Sequence, residues 1–174
     1  MHAKATVAIF RTAILLSFAA TAIPAQTANP PFAATIAVEG PASQTGPDSY
    51  TIKAGSDLFI KVHLTNISQH KLSFGYDKDS RTNIDFSHQY EIRDGNGNLV
   101  EKRQINRSMG STAHGWPARI LKPGEGMDIT GDFVSRLFDL SQMSQYTVQL
   151  SRAISDDPKD GVVKSNTITV TVVP

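Results

Sequence analysis

From Asp57 to Asn66 the chain reads DLFIKVHLTN, and its apolar side chains recur at every second residue. Leu58, Ile60, Val62 and Leu64 fall on one face, while Phe59, Lys61, His63 and Thr65 fall on the other. Successive side chains of an extended strand point to opposite faces, so this spacing predicts a half-buried β-strand and gives a helix no apolar stripe. The pattern returns along the chain. Ile84, Phe86, His88, Tyr90 and Ile92 form a row against Asp85, Ser87, Gln89, Glu91 and Arg93. Tyr146, Val148 and Leu150 form another, and Ile168, Val170 and Val172 oppose Thr167, Thr169 and Thr171. With shorter stretches at 35–38, 50–54, 72–76, 98–103 and 127–133, the expectation is about nine strands. Turn chemistry separates them. Asp94-Gly95-Asn96-Gly97 tolerates the positive φ of a hairpin, and Lys122-Pro123-Gly124-Glu125 carries Pro and Gly where a type II turn wants them. Only VSRLFDL, residues 134–140, reads as helical, for a turn or two.

The 174 residues include no cysteine, so burial and hydrogen bonding must hold the fold without disulfides. Apolar rows facing each other, with polar outer faces, predict an all-β, immunoglobulin-like antiparallel two-sheet sandwich. A closed barrel is the runner-up, since strand number alone does not separate the two. The missing inter-sheet disulfide argues against an antibody-like domain but not against the wider architecture.

The N-terminus, MHAKATVAIFRTAILLSFAATAIPAQ, has Lys4 and Arg11, then a short apolar run over residues 12–22 and small residues at Ala22 and Ala25. That is the anatomy of a secretory signal peptide. The run is shorter than the roughly 20 residues of a membrane-spanning helix. Cleavage is open between Ala22 and Ala25. Residues 1–25 are taken as the signal peptide, 26–32 as a flexible lead-in with Pro30-Pro31, and 33–174 as one sandwich domain. The expected location is the periplasm or the extracellular space, with no membrane association after cleavage. Losing Lys4 and Arg11 turns the net charge of +1 into a nearly neutral, slightly acidic balance. Such a surface offers no electrostatic basis for binding nucleic acid or an anionic membrane.

Four segments, taken in order, carry a resemblance. They are Val62-His-Leu-Thr-Asn-Ile-Ser68, Tyr90-Glu-Ile-Arg-Asp-Gly-Asn-Gly97, Leu121-Lys-Pro-Gly-Glu125, and the corner from Leu140 into Tyr146-Thr-Val148. Their order resembles the immunoglobulin-like sandwich of BsuPI-type intracellular proteinase inhibitors. It is also similar to β-sandwich domains attached to some secreted zinc metallopeptidases and to many uncharacterised exported bacterial proteins. The resemblance covers residues 57–150. Its motifs are turn and corner residues, which bear on fold more than on activity. After the hairpin the inhibitor pattern places an aromatic-rich stretch where this chain has Val100-Glu-Lys-Arg103, and the later corner has Ser144 in place of glycine.

Asp77-x-Asp79-x-x-x-Asn83-x-Asp85 and Asp94-x-Asn96-x-Asn98 have the flavour of calcium loops but lack the sixth-position Gly and the twelfth-position acid, so they read as loop and hairpin. His63, His70, His88 and His114 show no zinc-ligand spacing. His88, in register with an apolar row, reads as a hydrogen-bonded histidine at the edge of the core. Asp85, Glu91, Asp132 and Asp139 could pair as acid and base, but are expected to be mostly solvated outer-face charges. Sequons occur at Asn66-Ile-Ser68 and Asn106-Arg-Ser108. The segment from Gln104 to Arg119 is long and polar, and it holds the only tryptophan. Within it Arg107, His114, Trp116 and Arg119 are the candidate binding residues, against the plainer reading that Trp116 covers an open end of the sandwich. The expectation is a secreted, non-catalytic binding or accessory module whose partner is a secreted or periplasmic protein. No metal or cofactor is expected. The alternatives are a BsuPI-like proteinase inhibitor and, less favoured, a hydrolase with an unrecognised carboxylate pair.

Overall fold

A computed structural model describes residues 30–75, 78–79, 84–104, 119–154 and 161–174. The expected signal peptide lies outside the described residues. Within them the chain is mostly strand, with a single helical turn. No helix among the described residues is long and apolar enough to cross a membrane.

The alternating segment from Asp57 to Asn66 forms β4 (Phe59–Asn66), with Ile60, Val62 and Leu64 buried. It lies antiparallel between β1 (Phe32–Glu39) and β10 (Gly126–Phe133). β1 starts at Phe32, which the sequence placed at the end of the flexible lead-in. Its buried ring meets Phe74 edge-on, with centroids 5.9 Å apart. β12 (Val162–Val173) pairs antiparallel with β11 (Gln145–Ala153), and β11 pairs with β8 (His88–Arg93). The other edge of β12 is shared between two strands. β1 meets it at Ser165, and β3 (Ser49–Lys53) runs beside it from Thr169 to Val173, both parallel. β2 (Ser43–Gly46) hairpins onto β3. Two short pairs stand apart: β5 (Leu72–Phe74) with β9 (Arg119–Leu121), and β6 (Lys78–Asp79) with β7 (Ile84–Asp85).

The expected wholly antiparallel arrangement is therefore corrected to a mixed sheet, with a strand path β10-β4-β1-β12-β11-β8. Period-two alternation is the same beside a parallel or an antiparallel neighbour, so it carried no warning of the two parallel pairings. A bulge lets β12 change partners. Gln149 faces Thr167 while Ser151 faces Lys164, which takes Asn166 out of the regular ladder. Its side-chain amide then replaces backbone pairing: Oδ1 accepts from the Ile36 N–H (2.7 Å), and Nδ2 donates to the Ile36 carbonyl (3.3 Å) and to Asp48 Oδ1 (2.7 Å).

One apolar core gathers the inward rows, among them Leu58, Ile92, Val148, Leu150, Ile168 and Val170. α1 (Val134–Leu137) caps it with Val134 and Leu137. Two other expectations change. The strand expected over 98–103 is reduced to single bridges, Leu99 to Arg93 and Lys102 to Phe138. The alternating row over 84–92 is broken at Phe86-Ser87, leaving β7 and β8 as separate strands. The path does not close through backbone pairing among the described residues, because its end strands β10 and β8 share no ladder. The all-β, cysteine-free fold fits a β-sandwich.

Candidate functional site

The seam between those end strands holds the densest set of chemistry-bearing side chains in the described structure. Its construction starts in β10. Ile129 faces Val62, but Asp132, not residue 131, faces Ile60, so one extra residue is bulged into the strand. The bulge reverses the inward–outward parity and aims Asp132 into the interior, where it is 0% exposed. Gly131 makes this possible. A Cβ there would come within 2.1 Å of the Ile60 carbonyl oxygen, so no other residue permits this approach of β10 to β4.

Across the seam, β8 turns His88, Tyr90 and Ile92 inward, as its alternation requires. His88 Nδ1 lies 2.7 Å from Asp132 Oδ2, and the Tyr90 hydroxyl donates to the same oxygen at 2.9 Å. The other Asp132 oxygen, Oδ1, accepts from the backbone N–H of Asp85 at 2.8 Å. β11 adds the fourth member. Its inward row of Tyr146, Val148 and Leu150 continues to Arg152, which is buried. Arg152 Nη1 reaches Asp85 Oδ2 at 3.3 Å and His88 Nε2 at 2.9 Å, Nη2 donates to the Gly75 carbonyl, and the guanidinium sits 5.8 Å from the Phe74 ring centre. Asp85 Oδ1 takes the Ser87 N–H (2.9 Å) and hydroxyl (2.5 Å), closing the turn that breaks the row.

The bonds assign the protons. A guanidinium can only donate, so His88 Nε2 must accept from Arg152, and Nδ1 carries the hydrogen given to Asp132. His88 is thus the neutral Nδ1–H tautomer, between one carboxylate and one cation. Burial pushes the Asp85 carboxyl up, while the Ser87 hydrogen bonds and the Arg152 charge pull it down, and it sits below the usual carboxylate range. Burial first, and then the charge and bond of Asp132, push the Tyr90 phenol well above its ordinary value, so it remains a donor.

Two of the four candidate carboxylates, Asp85 and Asp132, are therefore brought together, and the expectation that they are solvated is corrected for both. Alternation points Asp85 outward, whereas β7 buries both of its residues, and it points Asp132 outward because the bulge leaves no mark on periodicity. The other two do lie at the surface. Glu91 holds Arg93 at 2.8 Å, and Asp139 accepts from Ser141 and pairs with Arg103 at 3.3 Å. His88 is a hydrogen-bonded core-edge histidine, as expected. Arg152 and Tyr90 were not foreseen, although a charged residue in register with Tyr146, Val148 and Leu150 was the available signal for Arg152.

As chemistry, the cluster contains an acid pair and a base whose polar atoms are bonded to one another. Both imidazole nitrogens are engaged, and the His88 and Asp132 side chains are fully enclosed. Among the described residues no group of three or more His, Cys, Asp or Glu is arranged to hold a metal ion. In the hairpin, the Asp94 carboxylate accepts from Asn96 and Asn98 and so closes the turn. Asn66, the first sequon asparagine, is buried. Its Nδ2 donates to the His70 and Leu121 carbonyls, so the folded chain presents no glycosylation acceptor there.

Of the proposed binding residues, Arg119 begins β9 opposite Phe74 and is exposed. Arg107, His114 and Trp116 lie outside the described residues, as do Asp77, Asn83 and Asn106. No protein-family model matches this chain, and a comparison with curated proteins finds no match.

Proposed function

We propose that the chain is an exported immunoglobulin-like β-sandwich acting as a non-catalytic binding or accessory module. The strand order supports the architecture. β1, β4 and β10 correspond to the A, B and E strands of such a domain, and β8, β11 and β12 to C, F and G. The observation that carries the functional reading is the enclosure of the Asp85–His88–Asp132–Arg152 cluster. The acid–base set found among the described residues is bonded to itself and turned into the core, which leaves the surface to make the contacts.

The test is capture of a defined exported protein by the immobilised chain, repeated with Trp116→Ala and Arg119→Ala. The chain has one tryptophan, so binding is followed by its emission. The reading expects a retained partner whose binding shifts that emission and weakens on substitution, with no turnover of ester, glycoside or peptide substrates. Turnover abolished by Asp132→Asn would overturn it in favour of a hydrolase.

A further inference from the structure

We propose that His88 is a proton-operated switch inside the buried cluster: on acidification its Nε2 gives up Arg152 and bonds Asp85 instead. The switch goes beyond the binding-module reading and does not depend on what the surface contacts.

Two bonded arrangements are open to the same side chains. In the first, His88 Nε2 accepts from Arg152 Nη1 at 2.9 Å, and Nδ1–H lies 2.7 Å from Asp132 Oδ2. Nε2 is then the ring nitrogen that can still take a proton. Asp85 Oδ2 stands 3.7 Å from it and 3.3 Å from Arg152 Nη1. A small tilt of the ring brings that oxygen within hydrogen-bond reach of Nε2. In the second arrangement a proton from solvent sits on Nε2, which donates to Asp85 Oδ2, while Nδ1–H stays on Asp132. The imidazolium is bonded to a carboxylate at each nitrogen. A protonated Nε2 cannot accept, and its positive charge repels the guanidinium, so Arg152 must leave it. Arg152 keeps the Gly75 carbonyl through Nη2 and stays beside the Phe74 ring.

Bond geometry, not net charge, separates the two states. β7 presents Asp85 to His88, β10 presents Asp132, β11 presents Arg152, and β8 adds the neutral Tyr90 hydroxyl on Asp132. On β6, Lys78 stands opposite Asp85 in the register. These residues bring two charges of each sign, Asp85 and Asp132 against Arg152 and Lys78. The contacts of β8 with β10, through Nδ1 and Tyr90, are common to both states, whereas the Arg152 bond from β11 to His88 exists in the first alone. Acid therefore loosens the β11 side of the seam and leaves the β10 side closed. Such a pair of discrete, fully bonded packings is what a side-chain protonation can bias.

The test follows the ring nitrogens of His88 and the Nη signals of Arg152 by NMR in the ¹⁵N-labelled full chain. The titration runs from about pH 8 to about pH 5, the range in which an ordinary histidine changes charge. His88→Gln identifies the histidine signals by their loss. At the upper end Nε2 should resonate as a bare ring nitrogen and Nδ1 as an N–H. At the lower end Nε2 should become an N–H, and the separate Arg152 Nη signals should merge as the guanidinium is freed to rotate. The Ile168 and Val170 amides should keep their protection throughout, which shows that the chain stays folded. Asp85→Asn should lower the midpoint by about one pH unit, because it removes the charge that receives the new N–H. Should that variant not fold, the parent chain's Nε2 and Arg152 signals decide alone. An Nε2 that stays bare to the end of the titration would overturn the proposal. So would Arg152 signals that ignore the new proton, a midpoint unmoved in Asp85→Asn, or protonation that appears only as Ile168 and Val170 lose protection.

Discussion

Asp132 organises the seam because its two oxygens take three donors from two separate segments: the Asp85 N–H, the His88 ring and the Tyr90 hydroxyl. Each of those donors is buried or nearly so. Tyr90→Phe removes one hydrogen bond to a charged acceptor and keeps the ring, so urea unfolding should show a loss of about 1.5–3 kcal/mol. Asp85 makes a prediction in pH. Its carboxyl is held low in the folded chain, so the folded state binds fewer protons than the unfolded state in the acid range. The resulting stability is fully present above the ordinary carboxylate pKa and is lost as pH falls through the folded value. In acid melts, Asp85→Asn should flatten that loss relative to the parent chain; an unchanged slope would remove Asp85 from the account. The sequence made His88 legible, since a histidine in an apolar row must find partners. It hid Asp85, because β7 buries both Ile84 and Asp85, where period-two alternation turns only one of two neighbours inward.

At the scale of elements, two bulges do what periodicity cannot announce. In β10 the extra residue turns Asp132 inward, and Gly131 is the residue whose lack of a side chain permits it. Gly131→Ala should cost about 1–3 kcal/mol through forced separation of β10 from β4. It should also move the His88 ring nitrogen shifts as Asp132 withdraws. In β12 the bulge frees Asn166 to hold Ile36 between the two parallel partners. Asn166→Ala leaves the Ile36 N–H and carbonyl without that partner. The Ile36 amide should then exchange faster, with a stability loss of about 1–3 kcal/mol. The inward rows of β4, β8, β11 and β12 were legible from alternation. Which strands would be neighbours was not, because a strand's faces are written in its own sequence and its edges are not. The loss of the strand over 98–103 has the same origin: Val100 to Arg103 could pair with β8, but Lys102 bridges to Phe138.

For the whole molecule, the absence of cysteine means that no covalent link joins the strands, and the path β10-β4-β1-β12-β11-β8 ends without a backbone ladder between its last members. The core supplies most of the cohesion, while the buried polar cluster ties the ends together across the seam. Buried polar sets of this kind cost desolvation and are stable only when every member is bonded, which is how this one is built. The cluster is therefore a clasp between β8 and β10. A double-mutant cycle in urea unfolding between Tyr90→Phe and Asp132→Ala, with the pair His88→Gln and Asp132→Ala in parallel, measures the clasp most directly. Coupling across the seam of about 1 kcal/mol or more is expected in both cycles. Losses that add to within about 0.5 kcal/mol would show that β8 and β10 are held independently, and would contradict it.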